Sequence, residues 1–249
     1  MSGHKPRLSV VIPAYNEERR IGTSLRDIVA FLKSRAYKSE IIVADDGSTD
    51  GTLAVCEREL AGFPHRLIRN TVNHGKGFVV RQGMLEADGD AILFTDADLS
   101  TPIEEVTRFM AALDEGYEIV IGSRALAGAR IEIRQNFFRE LMGKIFNRLA
   151  RLATFKGILD SQCGFKCFSR EAAKALFSAQ KLDGFSFDVE ILFLAQWQGR
   201  RILETPVIWR NSANSRVQLI RDPLAMFLDL LRIRRIHKCK APRSRSVAF

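Results

Sequence analysis

The sequence predicts an α/β fold: a mostly parallel sheet with helices on both faces. Two observations carry this. Across the first 125 residues, apolar runs of strand length alternate with stretches of helical periodicity, which is the pattern of repeated strand–helix units. The residues that follow the apolar runs are polar, small or acidic, and ligands collect beyond the carboxyl ends of strands in such sheets.

The elements follow in order. "LSVVIPA" (8–14) reads as the first strand and 18–34 as a helix. "EIIVADD" (40–46) is followed by helical periodicity over 50–61, and "HRLIRN" (65–70) by a helix over 76–87. "AILFTDAD" (91–98) precedes a helix over 102–115, and "YEIVIGSR" (117–124) closes the series.

The second half changes character. Residues 136–153, "NFFRELMGKIFNRLARLA", place Phe137, Phe138, Leu141, Met142, Ile145, Phe146, Leu149 and Leu152 on one stripe, with Arg139, Lys144, Arg148 and Arg151 elsewhere. A basic amphipathic helix of this kind suits either a membrane interface or the protein's own core. Residues 223–236, "PLAMFLDLLRIRRI", repeat the composition behind a proline suited to a first helical turn.

With 249 residues and 46% hydrophobic composition the chain can bury a substantial core. Its apolar runs fall far short of the roughly 20 residues that cross a bilayer. The start, "MSGHKPR", lacks the apolar segment of a secretion signal, so a cytoplasmic chain is expected. Cys56, Cys163, Cys167 and Cys239 have no paired CxxC spacing and read as reduced thiols. The net charge of +9 is concentrated late, in "RIRRIHKCKAPRSR", which contains no acid. No aromatics interleave with that tail, so a nucleic-acid surface is disfavoured.

Four stretches carry candidate chemistry. In "AILFTDADLSTP", Asp96 and Asp98 stand one residue apart at a strand end. Crowded carboxylates repel unless a cation joins them, and Mg2+ or Mn2+ with a diphosphate is the natural resolution. Helix capping by Asp98 and Ser100 would also account for the motif. In "VADDGSTDGT", Asp45 or Asp46 suits base or ribose donors, although the same residues are ordinary turn and cap chemistry. "NHGKGFVVRQGM" joins two glycines and Lys76 to a helix start where backbone N–H groups attract phosphate, without the P-loop pattern. Tyr15 in "PAYNEE" offers a stacking face, and Glu17 an acceptor.

Taken in order, "VVIPAYNEE", "IIVADDGSTDGT", "NHGKGFVVRQGM", "FTDADLSTP" and "VIGSR" resemble family 2 glycosyltransferases of the GT-A, Rossmann-like fold. The later "DSQCGFKCF", "FSFDVEIL", "TPVIW" and "RDPLAMFLDLLRIR" resemble the dolichyl-phosphate glucosyltransferase branch, relatives of the mannose synthases; the likeness spans about residues 7–236.

The resemblance implies a role for each matched position. Pro13, Tyr15 and Glu17 hold the nucleoside, Asp45 and Asp46 read the base, and Lys76, Gly77 and Arg81 line the donor pocket. Asp96 and Asp98 bind the diphosphate through Mg2+ or Mn2+, with Asp98 the more direct ligand. Arg124 and Arg139 match phosphate-binding arginines. Asp188 lies where relatives that use a sugar hydroxyl keep their base, and Asp160 is a further candidate for sugar contact.

The implied organisation is a GT-A domain over 7–210, with an acceptor helix at about 136–153, then an amphipathic helix and basic tail over 211–249. The implied activity is inverting transfer of glucose from UDP-glucose to dolichyl or polyprenyl phosphate, by a protein held peripherally at the cytoplasmic membrane face. GDP-mannose as donor, or a saccharide hydroxyl as acceptor, stays open. The absence of QxxRW argues against a processive synthase. "FTDADLS" only superficially resembles the nucleophile motif of haloacid-dehalogenase-like phosphatases.

Overall fold

The computed structural model describes residues 5–133, 154–210 and 221–237. Seven strands form one sheet: β1 (Leu8–Ala14), β2 (Ser39–Asp45), β3 (His65–Arg69), β4 (Ala91–Thr95), β5 (Ile119–Ser123), β7 (Phe165–Ser169) and β8 (Ile202–Pro206), in the order β3-β2-β1-β4-β7-β5-β8. Two short strands, β6 (Arg130–Ile133) and β9 (Ile208–Arg210), pair in parallel beside it.

Side-chain alternation along the strands divides the core between the two faces. Val10, Ile12, Ile41, Val43 and Leu93 point to one side, where they meet Leu25, Ile28 and Leu32 of helix Ile21–Lys33 and Phe109 of helix Val106–Asp114. Val11, Ile42, Ile92 and Phe94 point to the other, against Val80 and Met84 of helix Lys76–Glu86 and Leu176 and Phe177 of helix Arg170–Ala179. Ser169 caps that last helix by accepting from the Ala172 N–H at 3.2 Å.

Two features depart from the sequence reading. Strand β7 runs antiparallel between β4 and β5, with Thr95 opposite Phe165 and Ile121 opposite Lys166. Its beginning therefore lies beside the ends of β4 and β5, and this brings residues 160–166 to the ligand edge of the sheet. Helix Arg221–Ile236, assigned by sequence to a segment apart from the domain, shares the domain's core: Leu230 and Ile233 are buried in the second cluster. The amphipathic stretch 136–153, and Arg139 with it, lies outside the described residues. Among the described residues no helix is long and apolar enough to cross a membrane.

Candidate active site

The chain turns back across β1, with β2 on one flank and β4 on the other, so a crevice opens at the carboxyl ends of these strands. Asp96 and Asp98 leave β4 at this point. Lys76 Nζ lies 2.6 Å from Asp96 Oδ1 and Arg20 Nη1 lies 3.6 Å from Asp98 Oδ2. Asp98 Oδ1 also accepts from the Ser100 N–H at 3.1 Å, a contact within the turn, whereas the helical segments that follow, from Ile103 and from Val106, have no side-chain cap. Burial pushes the Asp98 carboxyl up, and the Asp96 charge adds to it. Burial alone would lower the Lys76 ammonium, but Asp96, Asp188 and Asp98 together hold it above its usual value. Gly164 passes so close that a Cβ there would sit 1.8 Å from Asp96 Oδ2. Only glycine admits the carboxylate.

The loops after β1 and β2 are stitched together. Glu17 N–H donates to Thr52 Oγ1 at 2.7 Å, Thr49 N–H to Asn16 Oδ1 at 2.8 Å, and Asn16 N–H to Ser48 Oγ at 2.8 Å. Pro13 is buried at the end of β1, and Tyr15 presents an exposed ring beside it. Asp45 is buried, and its carboxylate accepts from the Ser48 N–H at 3.0 Å and from the Ser48 hydroxyl. Glu17 pairs with Arg20, whose Nη2 donates to Oε1 at 2.6 Å, so Glu17 and Asp98 are bridged by one guanidinium.

Three of the residues expected to contact the donor also brace the protein. Asp46 accepts the N–H groups of His74 and Gly75 at 2.7 and 2.8 Å, which anchors the Lys76 turn. Arg81 pairs with Asp183 at 3.0 Å and donates to Gln180 O at 3.3 Å, so it holds the neighbouring loop. Gly77 lies where a Cβ would come within 2.8 Å of Leu182 O and Gly184 O, a seat that no other residue fits.

Asp160 is likewise a brace. Its carboxylate takes Arg124 in a fork, Nε at 2.7 Å and Nη2 at 2.9 Å, and also accepts the Arg124 N–H at 3.0 Å. Glu204 lies beneath, accepting the Leu159 and Asp160 N–H groups, each at 2.8 Å. The Arg124 guanidinium stands 5.5 Å above the Trp209 ring. Burial alone would raise the Asp160 carboxyl, but the Arg124 charge and its hydrogen bonds override burial and pull it from 3.8 to about 2. A depressed carboxylate stabilises the fold above its unfolded value, and that stability is lost as pH falls through the folded one. Wild type should therefore lose about 2 kcal/mol of its advantage over Asp160→Asn between pH 4 and about 2, read from urea unfolding at stepped pH.

Lys166 and Asp188 form a second buried pair: 1% and 5% exposed, with Nζ 2.6 Å from Asp188 Oδ1 and 2.6 Å from Cys163 O. Asp188 opens helix Phe187–Trp197, and burial raises its carboxyl even though Lys166 and Lys76 pull the other way. Both lysines approach the Phe94 ring, with Lys76 Nζ at 5.3 Å and Lys166 Nζ at 5.9 Å from its centre.

Arg20, Gly164, Lys166 and Glu204 were not singled out from sequence. Only Arg20 had a local signal, its i,i+3 spacing from Glu17. The other three acquire their partners from segments distant in sequence.

Among the described residues no three His, Cys, Asp or Glu side chains converge on one point. Asp96 and Asp98 fit a hard divalent cation whose other ligands are diphosphate oxygens and water. Burial and the Asp96 charge raise Asp98, and such a cation would offset both.

The sheet, with an Asp-x-Asp pair at its switch point, agrees with the GT-A glycosyltransferase fold that the sequence resemblance implied. The sequence model described as Glycosyl transferase family 2 matches residues 9–177, and the chain belongs to that family. It is 35% identical over 242 residues to the Homo sapiens dolichyl-phosphate beta-glucosyltransferase, a match covering 92% of this chain and 75% of that one. To the Saccharomyces cerevisiae protein of the same name it is 36% identical over 246 residues, covering 91% and 74%. The crystal structure of Mycobacterium tuberculosis glucosyl-3-phosphoglycerate synthase with Mn2+, UDP and glucosyl-3-phosphoglycerate superposes with a TM-score of 0.66. The match has 21% identity and covers 96% of this chain and 82% of that chain, a likeness of fold.

Proposed function

We propose that this chain moves glucose from UDP-glucose to dolichyl or another polyprenyl phosphate, with inversion, while held peripherally at the cytoplasmic face of a membrane. One observation carries the reading. Lys76 and Arg124 bring positive charge to the Asp96–Asp98 edge, whereas Asp188, the carboxylate in the position of a base, is buried against Lys166. Such a site suits transfer between two phosphates. The 35% identity to the human dolichyl-phosphate beta-glucosyltransferase supports the same acceptor and sugar.

The stacked loops around Tyr15, Glu17 and Asp45 orient the nucleoside of the donor. Asp96 and Asp98 hold Mg2+ or Mn2+, which when bound neutralises the diphosphate and stabilises it as a leaving group. The acceptor monophosphate is largely dianionic at neutral pH and attacks the anomeric carbon without giving up a proton. A bond forms between a phosphate oxygen and that carbon as its bond to the diphosphate oxygen breaks. Lys76 and Arg124 stabilise charge on the two phosphate groups. Arg139, in the stretch 136–153, would add a third cation.

Membrane contact is assigned to the stretch 136–153 and to helix Arg221–Ile236. Leu228 and Leu231 of that second helix are 44% and 56% exposed beside the exposed Arg232, Arg234 and Arg235.

The test is label transfer into an organic phase from radiolabelled UDP-glucose or GDP-mannose, with Mn2+ and polyprenyl phosphate. Label from UDP-glucose supports the reading, whereas label from GDP-mannose alone changes the donor. No lipid label alongside metal-dependent nucleotide-sugar binding removes the lipid acceptor and leaves a saccharide hydroxyl. Asp188→Asn should retain transfer within about tenfold, because a phosphate acceptor needs no base. A loss of about a thousandfold in kcat would establish base catalysis instead.

A further inference from the structure

We propose that Glu190 and His237 are positioning residues for the donor site, linking the C-terminal helix to the turn that carries Lys76. The proposal rests on reading that turn as part of the donor site. Glu190 is fully buried and plays no part in the transfer described above. Its carboxylate gathers three donors. Oε1 accepts the Lys181 N–H at 2.9 Å and His237 Nε2–H at 2.6 Å, and Oε2 accepts the Leu182 N–H at 2.8 Å. A buried carboxylate is stable only with such partners, so removing one disturbs the others.

The loop held in this way is the seat of the Lys76 turn. Asp183 O accepts the Phe78 N–H at 3.1 Å, and Gln180 Nε2 donates to Gly77 O at 2.9 Å and to Leu182 O at 2.8 Å. Gly75 adopts φ +108° with Asp183 O only 2.5 Å from where a Cβ would be, so turn and loop are in backbone contact. From there Lys76 reaches Asp96.

At the other end, His237 closes helix Arg221–Ile236. Its ring centre lies 6.4 Å from that of Phe193, and Lys181 Nζ donates to Ile236 O at 2.9 Å. An unbroken path of hydrogen bonds and close contacts thus runs from the end of this helix, through Glu190 and the 181–183 loop, to Lys76. Seating the helix and ordering the donor turn are consequently coupled, and by linkage nucleotide binding also strengthens the seat.

Full-length wild type, His237→Ala and His237→Gln would be compared by amide hydrogen exchange and by calorimetric titration with Mn2+ and UDP. His237→Ala should speed exchange in both 180–184 and 75–79 by about tenfold and weaken UDP binding about fivefold. His237→Gln, which keeps a side-chain N–H, should recover most of both. Faster exchange confined to 221–237 with unchanged UDP affinity would overturn the coupling, as would uniform acceleration across the whole chain. Wild type that binds no UDP would overturn the donor-site reading and this assignment with it, a failure visible before any variant is compared.

Discussion

Asp98→Ala is expected to lower kcat/KM for sugar transfer by about a thousandfold or more, with the thermal midpoint unchanged or raised. The two halves of this result share a cause. Asp98 is pushed toward protonation by burial and by Asp96, so the folded chain holds a carboxylate that is uncomfortable until a cation arrives. Alanine relieves that repulsion and deletes the ligand. Steady-state kinetics with saturating Mn2+, alongside a thermal melt, reads both. Transfer within tenfold of wild type would remove Asp98 from the diphosphate site, and a large drop in melting temperature would make its role structural.

Lys166→Met is expected to destabilise the protein by about 3–5 kcal/mol, because it strands Asp188 in the interior. The ammonium and the carboxylate are almost fully enclosed and 2.6 Å apart, so water cannot replace the missing partner. The double variant Lys166→Met/Asp188→Leu should recover most of the loss, since apolar residues of similar volume replace a buried pair at little cost. Guanidinium unfolding of the two single variants and the double closes the cycle. If the single change costs under about 1 kcal/mol, the pair is not the closed unit that its geometry describes. The double variant has a second use. Sustained lipid-phosphate glycosylation in a chain lacking Asp188 would show that the reaction proceeds without that carboxylate as base.

The five strands β1 to β5, the helices between them, and the loops holding Tyr15, Asp45, Lys76, Asp96 and Arg124 were legible in the sequence. Their signals are local. Periodicity, turn chemistry and strand-end polarity are set by residues within a few positions of each other. The family followed from the order of those same loops, which matches over 9–177.

Charge pairing was not legible in this way. Asp46, Arg81 and Asp160 have the residue types of ligand contacts, yet the fold gives each a protein partner: the His74 and Gly75 amides, Asp183, and Arg124. Lys166 carries no local signal, and its partner is set only when β7 enters the sheet antiparallel and brings it to Asp188. The helix at 221–236 reads as an appendage until Leu230 and Ile233 enter the core and His237 reaches Glu190.

By itself, then, the sequence determined the alternating α/β architecture, the family, and the loops that converge on the candidate site. Only the tertiary structure decided which charges at that site are committed to one another and which face the crevice. A strand's period is a property of its own residues, whereas a carboxylate's partner is whichever cation a distant strand or helix brings within about 3 Å.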